Sequence, residues 1–436
     1  MPVTIERRRT RQIRRMRPHL PGHPPGTSIR ALGLGIITGA ANDDPSAVGT
    51  FASAGARFGT AVLWLAPAIY PMMAVVVYLA AKLGQVTGQG FAAALKGWLP
   101  RWLLWTIVLA ILAGNTVEAA ADLGGIAAGL QLLVPFPLIA LILPQAAAIL
   151  ALQVFGSYVH IRGTLRWLAL TMLAYIGAAL FAHPDIPAIA RATVVPHLRF
   201  SREYLLILLA VIGASLSPYL YIWQASQEVE EDISMGRRRL SDRQGTTAAA
   251  LHATAWDVLT GLFFAAVVMY FILLAAAVTL FPAHVGELTS AAQAARALAP
   301  LAGQAAGVLF AAGIIGVGCL AVPVMTVGAA YVLCEARGWK SGLSARPREA
   351  PQFYATIAAV TAIATAGNFF GINPMRFLVA AGAVQGVLAP VLILLLLALT
   401  NRRALMGSWT NTRTVNALGL AAFGLTAAAA VAAALA

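Results

Sequence analysis

The stretch Gly35-Ile-Ile-Thr-Gly-Ala-Ala-Asn-Asp-Asp-Pro-Ser-Ala-Val-Gly-Thr50 sets two adjacent carboxylates and a proline inside the first apolar run of the chain. Charge at the depth of a bilayer core is costly and marks a functional site by default, so Asp43 and Asp44 are site candidates. Pro45 has no amide hydrogen and disfavours helix at the residue before it, which predicts a helix break here that frees backbone carbonyls. In lipid such an interruption survives only where protein encloses it. Carboxylate and carbonyl oxygens together are the ligands that a hard divalent cation takes.

The rest of the chain supplies the membrane setting. Of its 436 residues, 60% are hydrophobic and 11% charged, the balance of an integral membrane protein. Apolar runs of the roughly 20 residues needed to cross a bilayer fall at 31–56, 60–81, 102–133, 136–156, 164–182, 203–232, 250–281, 303–334, 353–371, 375–399 and 414–435. The prediction is therefore an all-α protein of eleven spans. Most of the sixteen acidic residues fall in loops or at helix ends, and Asp257 reads as a boundary charge; Asp43, Asp44, Glu118 and Asp122 lie within spans.

A net charge of +14 raises the question of nucleic acid, but the basic residues are scattered between apolar runs and form no folded basic domain. Orientation explains them better. Residues 1–30, with Arg7, Arg8, Arg9, Arg11, Arg14, Arg15 and Arg17 ahead of four prolines, read as a disordered basic arm. With that arm in the cytoplasm, all thirty lysines and arginines lie inside except Arg57, Arg191, Arg199, Arg202, Arg296 and Arg376. The positive-inside rule thus places the N-terminus in the cytoplasm of a multi-pass cell-membrane protein. Two cysteines, Cys319 and Cys334, support neither a disulfide framework nor a thiolate metal cluster. No cofactor and no obligatory protein partner is implied.

The sixth run repeats the oddity of the first. Leu209-Ala-Val-Ile-Gly-Ala-Ser-Leu-Ser-Pro-Tyr-Leu-Tyr221 again sets small residues ahead of a mid-span proline, Pro218 behind Ser217. Runs one and six correspond if residues 31–435 form one transporter domain of two five-helix halves, over 31–182 and 203–399, with an extra helix at 414–435. An odd number of helices per half inserts the halves in opposite orientation, as in inverted-repeat transporters whose two broken helices meet at the midplane. A lone proline also kinks ordinary membrane helices; the carboxylates beside Pro45 set this pair apart.

With these residues in view, the chain resembles the Nramp family of divalent metal-ion transporters over residues 30 to 435. Asp44-Pro45-Ser46-Ala47 is similar to the family's Asp-Pro-Gly-Asn in the first span, and Ala214-Ser-Leu-Ser217-Pro218-Tyr219 to its Ala-x-x-Met-Pro-His in the sixth. Ala121-Asp-Leu-Gly124, Trp223-Gln-Ala-Ser-Gln-Glu-Val-Glu-Glu231, Gly313-Ile-Ile-Gly-Val-Gly318 and Asn368-Phe-Phe-Gly-Ile-Asn-Pro374 add to it. The resemblance implies the leucine-transporter architecture of ten core helices. It also implies a bound ion held by the Asp44 side chain and the Ala41 and Ala214 carbonyls, with Gln385 completing the site in the occluded state.

The departures from the pattern carry chemistry of their own. Ala47 stands where the family has a ligand asparagine, and Ser217 where it has a methionine thioether. An all-oxygen site with more room favours a hard ion that keeps part of its hydration shell. This is similar to the Nramp-related magnesium transporter branch, with manganese expected to accompany magnesium and iron less favoured. The family's proton route is altered as well: Asp122 is kept, while Gly125 and Tyr219 replace a glutamate and a histidine. A phenol, which in water ionises near pH 10, relays protons poorly at neutral pH.

Asn115, Glu118 and Asp122 nevertheless share one helical face, a carboxylate pair in a shifted register. Two close carboxylates in low dielectric cannot both ionise easily, which suits a relay, a proton-sharing pair or a bond to arginine. Gln224 and Glu228, one turn apart in span six, line an inner vestibule or cap a helix end. The expected activity is import of magnesium or manganese by alternating access, with no enzymatic chemistry. Proton-coupled uptake of manganese or iron, sodium-coupled uptake of an organic solute, and metal sensing without translocation are the competing readings.

Overall fold

The computed structural model describes residues 34–155, 173–183 and 185–435, without the side chains of 34–37. The basic arm 1–30 and the first part of the fifth apolar run lie outside the described residues. Thirteen helices among the described residues carry the architecture. They are α1 Leu34–Asn42, α2 Pro45–Phe58, α3 Leu65–Thr87, α4 Arg101–Gln131, α5 Leu138–Phe155 and α6 Ala174–Phe181, then α7 Arg202–Ser215, α8 Pro218–Ser234, α9 Ala248–Thr279, α10 Ala306–Arg337, α11 Pro351–Gly367, α12 Pro374–Asn401 and α13 Arg413–Leu435.

Among the described residues nine helical segments are long and apolar enough to cross a membrane. The two remaining predicted spans are special cases. Span one is divided into α1 and α2, each too short alone, and span five is described only from α6 onward. Both expected breaks occur at the expected prolines. Helix α1 stops at Asn42 and α2 restarts at Pro45; α7 stops at Ser215 and α8 restarts at Pro218. Proline is tolerated at a first helical position because its missing amide hydrogen would have no partner there.

The packing pattern repeats between the halves. In the first, α3 lies against α8 of the second; in the second, α9 lies against α1 of the first. Likewise α4 packs on α5 and α10 on α11, while α4 and α10 pack on each other across the centre. Exchanging spans one to four for six to nine therefore returns the same neighbours, the signature of two related five-span halves. Helix α12 closes the bundle against α7, α4 and α2, and α13 leans on α12 from outside.

Lipid is as apolar as leucine, so these helices associate through close packing and polar contacts. A side chain at Gly213 would collide with the Gly382 backbone of α12, and one at Gly39 with the Gly261 backbone of α9. Glycine at these two positions lets each broken span lie backbone to backbone with its neighbour. Phe263 and Phe264 on α9, Val387 and Val391 on α12, and Leu420 and Val431 on α13 are exposed, as apolar lipid permits.

Candidate functional site

The site is built on the first break. Asp44 has an extended backbone and is the N-cap of α2, its Oδ1 accepting from the Ala47 amide at 2.6 Å. That bond satisfies one of the donors a helix start leaves open and places a carboxylate at the positive end of the α2 dipole. Ala47 thus contributes its backbone amide, while its methyl group brings no ligand.

Ser46, the residue between proline and alanine, joins three acidic side chains. Its hydroxyl lies 2.9 Å from Asp44 Oδ1 and hydrogen-bonds to Glu118 Oε1, while its amide donates to Asp122 Oδ1 at 3.0 Å. Asp44, Ser46, Glu118 and Asp122 all have 0% exposure. Among the described residues, no lysine or arginine forms an ion pair with any of these carboxylates. The reading in which Glu118 and Asp122 hold an arginine therefore gives way to a link to span one. Glu118 Oε2 and Asp122 Oδ2 have no hydrogen-bond partner among the described residues.

The second break is put together differently. Ser217 is the N-cap of α8 by backbone geometry, but its hydroxyl turns back to the carbonyls of Gly213 at 2.8 Å and Ala214 at 3.1 Å. Serine commonly bonds to the preceding helical turn in this way. The Ala214 carbonyl, which the resemblance assigns to the ion, here accepts from the Ser217 hydroxyl. Ala41 is likewise engaged, its carbonyl accepting from the Tyr219 hydroxyl at 2.8 Å. The same hydroxyl lies 2.6 Å from Asp44 Oδ2, so the two breaks meet at Tyr219.

The remaining candidates fall around this core. Gln385 is buried on α12 beside Glu118, its amide 3.4 Å from the Gly114 carbonyl and its Oε1 without a hydrogen-bond partner among the described residues. Among the described residues, no hydrogen bond joins it to Asp44. Asn115 points away, donating to the Met325 carbonyl of α10 at 3.1 Å. Asp43 is buried in the turn, with no hydrogen-bond partner for Oδ1 among the described residues and no hydrogen bond to the Asp44 cluster.

Gln224 and Glu228 belong to a second polar strip, buried at Thr38, Gln224 and Glu228 and half-buried at Gln85 and Thr254. Thr38 of α1 donates to Gln224 at 2.6 Å, Gln224 donates to Glu228 at 2.8 Å, and Gln85 of α3 reaches Glu228 at 3.0 Å and Thr254 of α9 at 2.6 Å. A simple cap at a helix end would not draw in four helices. Asp257 is buried close to Glu228, which corrects its reading as a boundary charge. Sequence reasoning missed Ser46, Thr38, Gln85 and Thr254. Their one available signal was a polar side chain within an apolar run, which many structural serines and threonines share.

Comparison with known proteins places this arrangement among relatives. The chain is 27% identical over 410 residues to the "Divalent metal cation transporter MntH" of Aeromonas hydrophila subsp. hydrophila, covering 90% of this chain and 92% of that one. It is 28% identical over 400 residues to the MntH of Mycobacterium tuberculosis, covering 90% and 88%. In structure it is similar to the Eremococcus coleocola manganese transporter, with a TM-score of 0.71 at 17% identity over 93% of this chain and 86% of that one. Similarity to the inward-facing form of Mhp1 is lower, with a TM-score of 0.53 at 15% identity over 93% and 90%. These likenesses speak to the fold, an all-helical membrane architecture of the leucine-transporter kind with spans one and six broken. The model of the natural resistance-associated macrophage protein-like family matches residues 35–436, and on that match the chain belongs to the Nramp family.

Proposed function

We propose that this protein imports a divalent metal cation, magnesium or manganese before iron, by alternating access, with the ion held between the two helix breaks. The single observation that carries the reading is the trio of Asp44, Glu118 and Asp122, buried around Ser46 with no ion-paired lysine or arginine among the described residues. Buried carboxylates need positive partners or protons, and a cation from outside answers that need. The family relatives, described as divalent metal cation transporters, support the same cargo class.

In this reading Asp44 supplies the charge, and the Ala41 and Ala214 carbonyls supply neutral oxygens once their present donors turn away. Glu118 and Gln385 stand one layer out. No thioether stands at 217 and no carboxamide at 47, so the site offers hard oxygen and room for retained water, which suits magnesium and manganese. The strip from Thr38 to Glu228 provides oxygens along the inner route. Residues 31–435 act as one transporter domain, with the arm 1–30 as a cytoplasmic tail.

Inward flux needs no second ion. The membrane potential contributes about 2.3 kcal/mol per charge per 100 mV, and roughly twice that for a divalent ion. The test is purified full chain in liposomes, comparing magnesium, manganese, iron and cadmium with and without a pH gradient. We expect magnesium and manganese uptake that follows the potential and leaves a trapped pH dye silent. Uptake of cadmium alone, or of no divalent ion, would overturn the reading. One observation favours proton coupling instead: Ser46 connects the ion-site carboxylate to Glu118 and Asp122 without a gap. Metal-dependent acidification that disappears in Glu118→Gln with Asp122→Asn would decide for it.

A further inference from the structure

The Tyr219 hydroxyl stands between Ala41 O at 2.8 Å and Asp44 Oδ2 at 2.6 Å. A phenol has one hydrogen to give, and here two acceptors face it. Both acceptors are oxygens that the proposed site assigns to the ion. We infer that Tyr219 is an internal competitor of the transported cation: its hydroxyl bridges Ala41 and Asp44, and an ion gains these two oxygens only by dislodging it.

Three features support this beyond the distances. Tyr219 is fully buried, and its ring belongs to the same packed cluster as Ala41, Ala119, Ala120 and Met325, so the hydroxyl is held in place from behind. Its position after Pro218, at the start of α8, puts the ring at the second break while its hydroxyl reaches the first. The bridge therefore ties together the two broken spans. Moreover, the two oxygens are already gathered around one atom. Each has only to close in by about 0.5–0.8 Å to reach the roughly 2.0–2.1 Å of a magnesium–oxygen bond. The phenol thus keeps the ligands near their working arrangement while capping them with a donor that an ion can displace.

The alternative role for the same hydroxyl is that of a ligand to the ion, and the two roles predict opposite signs. Removing a competitor tightens binding; removing a ligand weakens it. The inference rests on the proposed ion site, so the experiment pairs Tyr219→Phe with Asp44→Asn in the purified full chain, titrated with manganese by calorimetry. Phenylalanine keeps the ring and its packing, which preserves the fold.

We expect Tyr219→Phe to bind manganese about tenfold more tightly than the parent, the worth of one charge-assisted hydrogen bond no longer competing. We expect Asp44→Asn not to bind. The metal dependence of thermal unfolding gives a readout that a merely structural tyrosine would not move. Without metal Tyr219→Phe should melt below the parent, and at saturating manganese the gap should close, because the ion takes over the bridge. Equal or weaker affinity in Tyr219→Phe, with binding lost in Asp44→Asn, overturns the competitor and leaves the site standing. Parent-like binding in Asp44→Asn, or a parent that binds no manganese, overturns the site and the competitor with it.

Discussion

At the first break the N-cap is an aspartate whose carboxylate reaches forward to the Ala47 amide and sideways to Ser46 and Tyr219. At the second it is a serine whose hydroxyl turns backward into its own helix, onto Gly213 and Ala214. Both breaks rest on the same backbone device, an extended residue ahead of a proline. What differs is the direction of the polar group. Span one projects charge across the helix interface toward α4 and α8, whereas span six satisfies itself locally and meets span one through Tyr219. Negative charge is thus concentrated on one of two otherwise matched breaks, and in the proposed function the second serves as a wall of the ion site.

The largest expected effect tests that asymmetry directly. Asp44→Asn should abolish manganese and magnesium flux in liposomes while the protein still elutes as a folded species. Unchanged flux would mean that the charge is not concentrated at span one. Asp43→Asn, lacking hydrogen bonds to the cluster, should retain flux to within about threefold, a loss of at most ~0.7 kcal/mol on the usual scale.

Next in size is a change of selectivity. Ser217→Met together with Ala47→Asn should turn competition toward cadmium and away from magnesium by about tenfold or more, through ligand softness and lost space for water. A double variant that calorimetry finds no better for cadmium would show that the wall at span six does not set the choice.

The bridge between span one and α4 comes next. Ser46→Gly deletes the hydroxyl contact to Asp44 and Glu118 but keeps the amide that serves Asp122. One lost hydrogen bond to a charged group is worth about 1.5–3 kcal/mol, so metal affinity should change by at least tenfold. Equal affinity would sever the carboxylate trio from the ion. The smallest effect is expected at the self-satisfied break: Ser217→Ala should leave the melting temperature within about 2 °C and raise affinity by no more than about threefold, because the neutral hydrogen bond it takes from the Ala214 carbonyl competes only weakly with an ion. A loss of affinity, read by the same calorimetry, would make that hydroxyl a ligand.

Much of the frame is legible in the amino-acid sequence alone. Apolar run lengths mark the spans because a bilayer sets a length, and Pro45 and Pro218 mark the breaks because proline acts on its own backbone. The presence of Asp44, Glu118 and Asp122 within apolar runs is equally plain, because charge in lipid needs a reason. All of these are local properties, decided within a few residues or by the solvent.

What only the tertiary structure decided is the pairing. Ser46 and Glu118 are 72 positions apart, Thr38 and Gln224 are 186, and Tyr219 and Ala41 are 178. A serine hydroxyl serves a neighbour's carboxylate where one comes within reach and otherwise bonds back to its own helix. Ser46 takes the first course and Ser217 the second because of which helix lies alongside. For Ser46 that neighbour is α4, which approaches α2 closely where Gly125 faces Pro45, and no spacing along the chain encodes that approach.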